Sequence, residues 1–141
     1  IKDGLRDGTI DVIATDHAPH ASQEKQQEFT EAPFGIVGLE TALPLTLTLV
    51  EEGVLTLESA VDKLATAPAK AFSLNAGTLA VGAPADVAIV DPNLEWEVDP
   101  SRFRSKSRNT PFAGWKVKGR VTTTLVSGRV VYELDRPGRQ A

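Results

Sequence analysis

"TIDVIATDHAPHAS", residues 9–22, runs from an apolar, β-branched segment into one carboxylate and two imidazoles within five positions, 16–20. Thr9, Ile10, Val12 and Ile13 favour a pleated backbone, Asp7-Gly8 marks a turn before them, and the run is too short for a helix. A buried strand is predicted over 9–16, with Asp16 at its carboxyl end and His17 and His20 in the loop that follows. In parallel α/β folds chemistry collects there, because the loops leaving the strands converge on one face. A carboxylate in that place can ligate a metal through one oxygen and take a proton through the other, as metal-assisted hydrolysis requires. Each residue also has a plainer reading. Asp16 would serve as a turn or helix-capping aspartate, and His17 as a histidine held by backbone groups. His20 follows Pro19 in a loop, where a core role is less natural.

Outward from that segment, "IKDGLRDG" (1–8) reads as the last turn of a helix feeding the strand. Residues 18–34 turn polar and end at Gly35; a loop of that length in a compact domain is usually functional, and 21–33 is a candidate lid. "GLETALPLTLTLVEEG" (38–53) spaces Leu39, Leu43, Leu47 and Val50 as a helix closed by Gly53, with Pro44 tolerable only near its first turn. Thr56 is a candidate N-cap for a helix whose apolar face is Val61, Leu64 and Ala65, and Pro68 opens a further short helix over 67–74. After Asn75 the chain becomes valine-rich. "GTLAVGAPADVAIVDP" (77–92) and "GRVTTTLVSGRVVYE" (119–133) read as strands, the latter a hairpin turning at Ser127-Gly128. The fold class is α/β in two parts, 1–74 and 75–141. One strand with a few helices cannot close a core, so the first part is expected to complete a larger α/β body. The absence of methionine, position 1 included, agrees with a piece of a longer protein.

Zero cysteines exclude disulfides and thiolate metal sites and leave histidine and carboxylate as ligands. A net charge of −4 gives no reason to expect nucleic acid or an anionic membrane. The basic run Arg102–Arg108 reads as a solvated loop, Asp86 as a hydrogen-bonded aspartate opening a strand, and Trp115 as an aromatic packed between layers. No apolar stretch reaches bilayer length and no signal peptide opens the chain, so a cytoplasmic setting is the default expectation.

Taken together, "DGTIDVIATDHAPH", "EAPFGIVGLETALPL", "GTLAVGAPADVAIVDP" and "SRNTPFAGWKVKGRVTTTLVSGRVVYE" resemble the carboxyl-terminal third of bacterial dihydroorotases of the cyclic amidohydrolase family. "TDHAPH" is the specific element. The resemblance implies the last part of a metal-dependent (β/α)8 TIM barrel over 1–74 and part of a flanking composite β-sandwich over 75–141. It implies that Asp16 touches the metal centre, as general base in hydration and then as acid toward the leaving amide nitrogen. His20 would bind the substrate carboxylate, Ala18 sits where a neighbouring backbone group would help hold the ring, and Pro33, Phe34 and Gly35 would present backbone groups to the pyrimidine ring. His17 would orient its neighbours. The family's zinc centre, binuclear in the intact enzyme, draws on a His-x-His pair, a carboxylated lysine and two further histidines that cannot be located in these residues. The implied reaction is reversible closure of N-carbamoyl-aspartate to dihydroorotate. The implied partners are the N-terminal remainder of the enzyme, the small-molecule substrate, a second copy in a homodimer, and aspartate transcarbamoylase. Two rivals stand beside it: a hydantoinase or allantoinase, against which His20 argues, and a non-catalytic homologue that scaffolds aspartate transcarbamoylase.

Overall fold

The computed structural model describes residues 1–134. Its helical part comprises α1 (Lys2–Arg6), α2 (Ser22–Lys25), α3 (Ala42–Glu51), α4 (Leu57–Val61) and α5 (Ala67–Ala71), with a π-helical turn, Asp62–Thr66, joining the last two. The start signals read from sequence hold. The Thr56 hydroxyl accepts the Ser59 N–H at 3.1 Å, capping α4. Pro44 falls in the first turn of α3, where a missing N–H breaks no intrahelical bond, and Pro68 is the second residue of α5, directly after the π turn.

The buried faces differ from those expected. Leu39 precedes α3 and is exposed, while Pro44, Thr46 and Leu47 are buried. Thr46 can be buried because its hydroxyl donates to the Ala42 carbonyl at 2.8 Å. Along 57–71 the buried residues are Ala60, Lys63 and Ala69, and Val61 and Ala65 face solvent. The inward face is set one position earlier than expected, at Ala60 and Lys63 with Leu64 half-buried, and a π turn over 62–66 lies within the run.

The predicted strand over 9–16 is not a strand among the described residues. Its region carries a single parallel bridge, His17 to Ile36. A strand needs a neighbouring backbone to complete its ladder, and this segment is tied to helices instead. The Ile10 N–H donates to Gly4 O at 2.8 Å and the Ile13 N–H to Lys63 O at 3.0 Å. Lys63, only 6% exposed, also donates its ammonium to the Ile10 carbonyl. Ile10 and Ile13 pack against Leu5, Val54, Leu55 and Ala60. The apolar pattern thus corresponds to partial burial only: Ile10, Val12 and Ile13 are half-buried, no residue of 9–16 is fully buried, and there is no ladder.

The other half is an antiparallel meander, β1 (Val87–Glu97), β2 (Lys116–Val126) and β3 (Arg129–Glu133), with a 3₁₀ turn at Pro100–Arg102. β1 begins ten residues after the predicted start at Gly77. Its register shifts between Asp91 and Glu95, around Pro92, which has no N–H to give a ladder. The hairpin turns at Ser127 and Gly128, both at positive φ (49° and 75°), the combination a type I′ turn demands. Asp86 accepts the Ser127 N–H at 2.7 Å, which pins the start of β1 to that turn.

Val37, Val98, Phe103 and Val117 form a second core, flanked by Trp96 and Phe112. Trp115 is not packed between layers. It is 52% exposed and meets Phe112 edge to face at 5.1 Å, while Trp96 is the half-buried tryptophan that packs against this core. The Trp96 indole donates to Gly119 O at 3.0 Å, and the Arg120 guanidinium lies 4.8 Å from its ring centre. α3 seats on β2 at Gly119, φ +91°, where a Cβ would stand 2.1 Å from Leu47 Cδ1. Arg102, Arg104, Lys106 and Arg108 are exposed as expected, although Phe103 among them is buried. No helix among the described residues is long and apolar enough to cross a membrane. The last seven residues of the part predicted as 75–141 lie outside the described residues.

Candidate active site

Asp16 stands at φ 45°, the left-handed region that aspartate tolerates better than most residues, at a cost of about 1 kcal/mol. The residue is exposed, and its carboxylate has no hydrogen-bond partner among the described residues. It is free to accept a proton or to ligate. The neighbouring His17 is committed: its Nδ1 accepts the Gly38 N–H at 3.1 Å. A neutral ring then carries its proton on Nε2, so neither nitrogen offers a lone pair to a metal. With the Ala18 N–H donating to Ile36 O at 2.9 Å, His17 fastens segment 36–38 beside segment 16–18.

His20 faces the other way along that seam. Its Nε2 donates to Phe34 O at 2.9 Å, and its Nδ1 lies 3.9 Å from Glu24 Oε2. Glu24 is itself positioned by the Ala21 N–H, 2.9 Å from the same oxygen. Lys25, from α2, donates to Pro33 O at 2.7 Å and to Gly35 O at 3.3 Å. Three successive carbonyls, 33 to 35, thus each accept from a side chain, two of those donors lying on the 20–25 segment. Gly35 is at φ +102°, and a Cβ there would lie 2.5 Å from Ala18 Cβ. The Phe34 ring is 90% exposed above this contact. The geometry gathers His20, Ala18, Pro33, Phe34 and Gly35 into one cluster, and Asp16 stands two residues before it without a hydrogen bond to it. The segment read as a long polar loop contains the short helix α2, and Lys25 on that helix ties it to 33–35.

In this arrangement the His20 Nε2–H is occupied by Phe34 O. An anion reaches it either when that carbonyl lets go or, for a protonated ring, through Nδ1–H. Among the described residues no three histidine, aspartate or glutamate side chains converge as a metal site. Asp16 has the chemistry for one ligand; the donor set is otherwise incomplete.

Three residues here escaped the sequence reading: Lys25, Ser107 and Asn109. The Ser107 hydroxyl donates to His20 O at 2.6 Å. Asn109 Nδ2 donates to Ala18 O at 3.0 Å and to Gly35 O at 3.2 Å. Ser107 and Asn109 lie in "SKSRN", where alternation of short polar residues with basic ones is the available signal, since Ser and Asn readily bond backbone groups. Lys25 had no signal.

The amidohydrolase family model matches residues 1–131. A dihydroorotase of Syntrophotalea carbinolica is 59% identical over 135 residues, 96% of this chain and 32% of that protein. A dihydroorotase of Brevibacillus brevis is 58% identical over 131 residues, 92% of this chain and 31% of that protein. The chain therefore spans about a third of the length of the curated relatives it matches. Among solved structures, the L-hydantoinase of Arthrobacter aurescens superposes with a TM-score of 0.85 at 39% identity, covering 94% of this chain and 31% of that one. A D-hydantoinase from Thermus sp. gives 0.80 at 30% identity, with 94% and 30% covered. With its sequence matched along nearly its whole length and its fold shared with these hydrolases, this chain belongs to the amidohydrolase family.

Proposed function

We propose that these residues are the carboxyl-terminal part of a dihydroorotase, which interconverts N-carbamoyl-aspartate and dihydroorotate. The observation that carries this reading is identity of 54–59% to curated dihydroorotases over more than nine-tenths of the chain. Solved hydantoinases share the fold at lower identity, 27–39%. In this reading 1–74 ends a TIM barrel, 75–141 belongs to a composite sandwich, and an N-terminal remainder supplies the other metal ligands. The metal is zinc in this proposal, and when bound it supplies Lewis acidity toward the scissile amide.

The chain's own residues take three tasks. Asp16, unencumbered by hydrogen bonds, takes a proton as the ring opens and returns it to the amide nitrogen that leaves. His20 donates a ring N–H to the substrate carboxylate once Phe34 O releases it. Ala18 and the 33–35 backbone, held by Lys25, flank the ring of the substrate. Association with a second copy or with aspartate transcarbamoylase belongs to the same proposal, with exposed Arg102 and Arg104 as a surface for it.

The deciding experiment compares hydrolysis of dihydroorotate and hydantoin by the full-length, metal-loaded enzyme. Preference for dihydroorotate supports the reading, preference for hydantoin replaces it with a hydantoinase, and turnover of neither leaves the scaffolding homologue.

A further inference from the structure

We infer that Asn109 is a positioning residue that sets His20 against the 33–35 backbone, and so governs how the substrate carboxylate is bound; this rests on the dihydroorotase reading above. Its amide is the point where the two sides of the cluster are joined. Nδ2 spends both protons, one on Ala18 O at 3.0 Å and one on Gly35 O at 3.2 Å, and Oδ1 faces the His20 N–H at 3.5 Å. Its main-chain carbonyl accepts the Val37 N–H at 3.0 Å, so side chain and backbone hold the same seam. Ser107, two residues earlier, fastens the His20 carbonyl at 2.6 Å.

The chemistry of the amide matters. Two carbonyls and one N–H surround it, which is the complement of two N–H donors and one carbonyl acceptor. Aspartate has the same shape but only acceptors, so it would face Ala18 O and Gly35 O with unmatched lone pairs. Gly35 makes the seam tight. Its missing Cβ brings the 35 backbone onto Ala18, and the two Nδ2 bonds span the resulting gap. Among the described residues Asn109 makes no hydrogen bond to either histidine ring, so it acts on His20 through the backbone that carries it.

The test uses the full-length, metal-loaded enzyme with Asn109→Ala, His20→Ala and the double variant. Loss of this one shared amide is expected to raise KM for dihydroorotate about tenfold, with kcat held within about threefold. In the double variant KM should match that of His20→Ala alone, since Asn109 acts through that residue. Amide exchange should quicken at His20 and stay unchanged in β2.

An unchanged KM in Asn109→Ala, or one that multiplies with the effect of His20→Ala, overturns the inference. An unchanged KM in His20→Ala instead refutes the carboxylate role of His20, and the exchange measurement then judges Asn109 by itself: unaltered exchange at His20 overturns the inference. If Asn109→Ala does not accumulate as folded enzyme, the isosteric Asn109→Asp carries the same comparisons with the same thresholds.

Discussion

Gly35 approaches Ala18 so closely that a Cβ at position 35 would lie 2.5 Å from the Ala18 methyl carbon. Real carbon atoms do not stand that close without displacing their surroundings, and φ +102° adds backbone strain for any L side chain. Gly35→Ala should therefore push the 33–35 backbone off His20 at a local cost of about 1–3 kcal/mol. The expected outcome is a raised KM and faster amide exchange in this segment, with global unfolding nearly unchanged because the strained loop opens by itself. Exchange identical to the parent would show that the contact yields without consequence.

Asp16→Asn keeps the shape of the side chain and tolerates the same left-handed backbone, φ 45°, so folding should be retained. What it removes is the proton acceptor. Turnover in either direction should fall by roughly two to four orders of magnitude, the usual range for deleting a positioned acid/base. Steady-state kinetics on the full-length enzyme measure this. Activity within about tenfold of the parent would sink the assignment of Asp16 as the base.

Gly119 tests the packing between α3 and β2. A methyl group there would meet Leu47 Cδ1 at 2.1 Å on a backbone at φ +91°. Gly119→Ala should destabilise the protein by about 1–3 kcal/mol, part steric and part conformational. The steric part disappears if Leu47 is shortened. Denaturant unfolding should therefore show a smaller penalty for Gly119→Ala in a Leu47→Ala background than in the parent; equal penalties would place the whole cost in the backbone.

Asp99 offers a pH-dependent test. The Ser101 hydroxyl, at 2.6 Å, and the Ser101 N–H, at 2.9 Å, hold its carboxyl below the ordinary aspartate value. A depressed folded pKa contributes stability above the unfolded pKa and loses it as pH falls through the folded value. Ser101→Ala removes the hydroxyl, the larger cause, and should move the Asp99 titration upward when followed by carboxyl-carbon NMR. No upward movement would mean that the N–H alone holds the group.

How much of this was legible depended on whether a signal was local. Thr56, Pro44, Pro68 and Ser127-Gly128 were read correctly because caps and turns are decided by residues within a few positions. The segment 9–16 was misread because β-branched residues announce burial, whereas a ladder also requires a neighbouring backbone. Val61 and Ala65 failed because the inward face is carried by Ala60 and Lys63, one position earlier, and small or charged residues give little apolar signal. At the candidate site, His20 and the 33–35 backbone were singled out through the family resemblance, and the structure places them in contact. Asn109 and Lys25 were not found, since a bond to a main-chain carbonyl leaves almost no trace in composition.

The bond from Asn109 to Ala18 spans 91 positions of sequence. Closing so long a loop costs more chain entropy than the Ser127-Gly128 turn, whose flanking residues meet at once. The hairpin can form on the microsecond scale, about 1–10 μs, while the seam must await both halves of the chain. On this entropic ground the meander is expected to form first and the seam joining Ala18, Gly35 and Asn109 last. Pulse-labelled amide exchange during refolding should accordingly show protection in the hairpin, at Val126 and Arg129, before it appears at Ala18 and Val37.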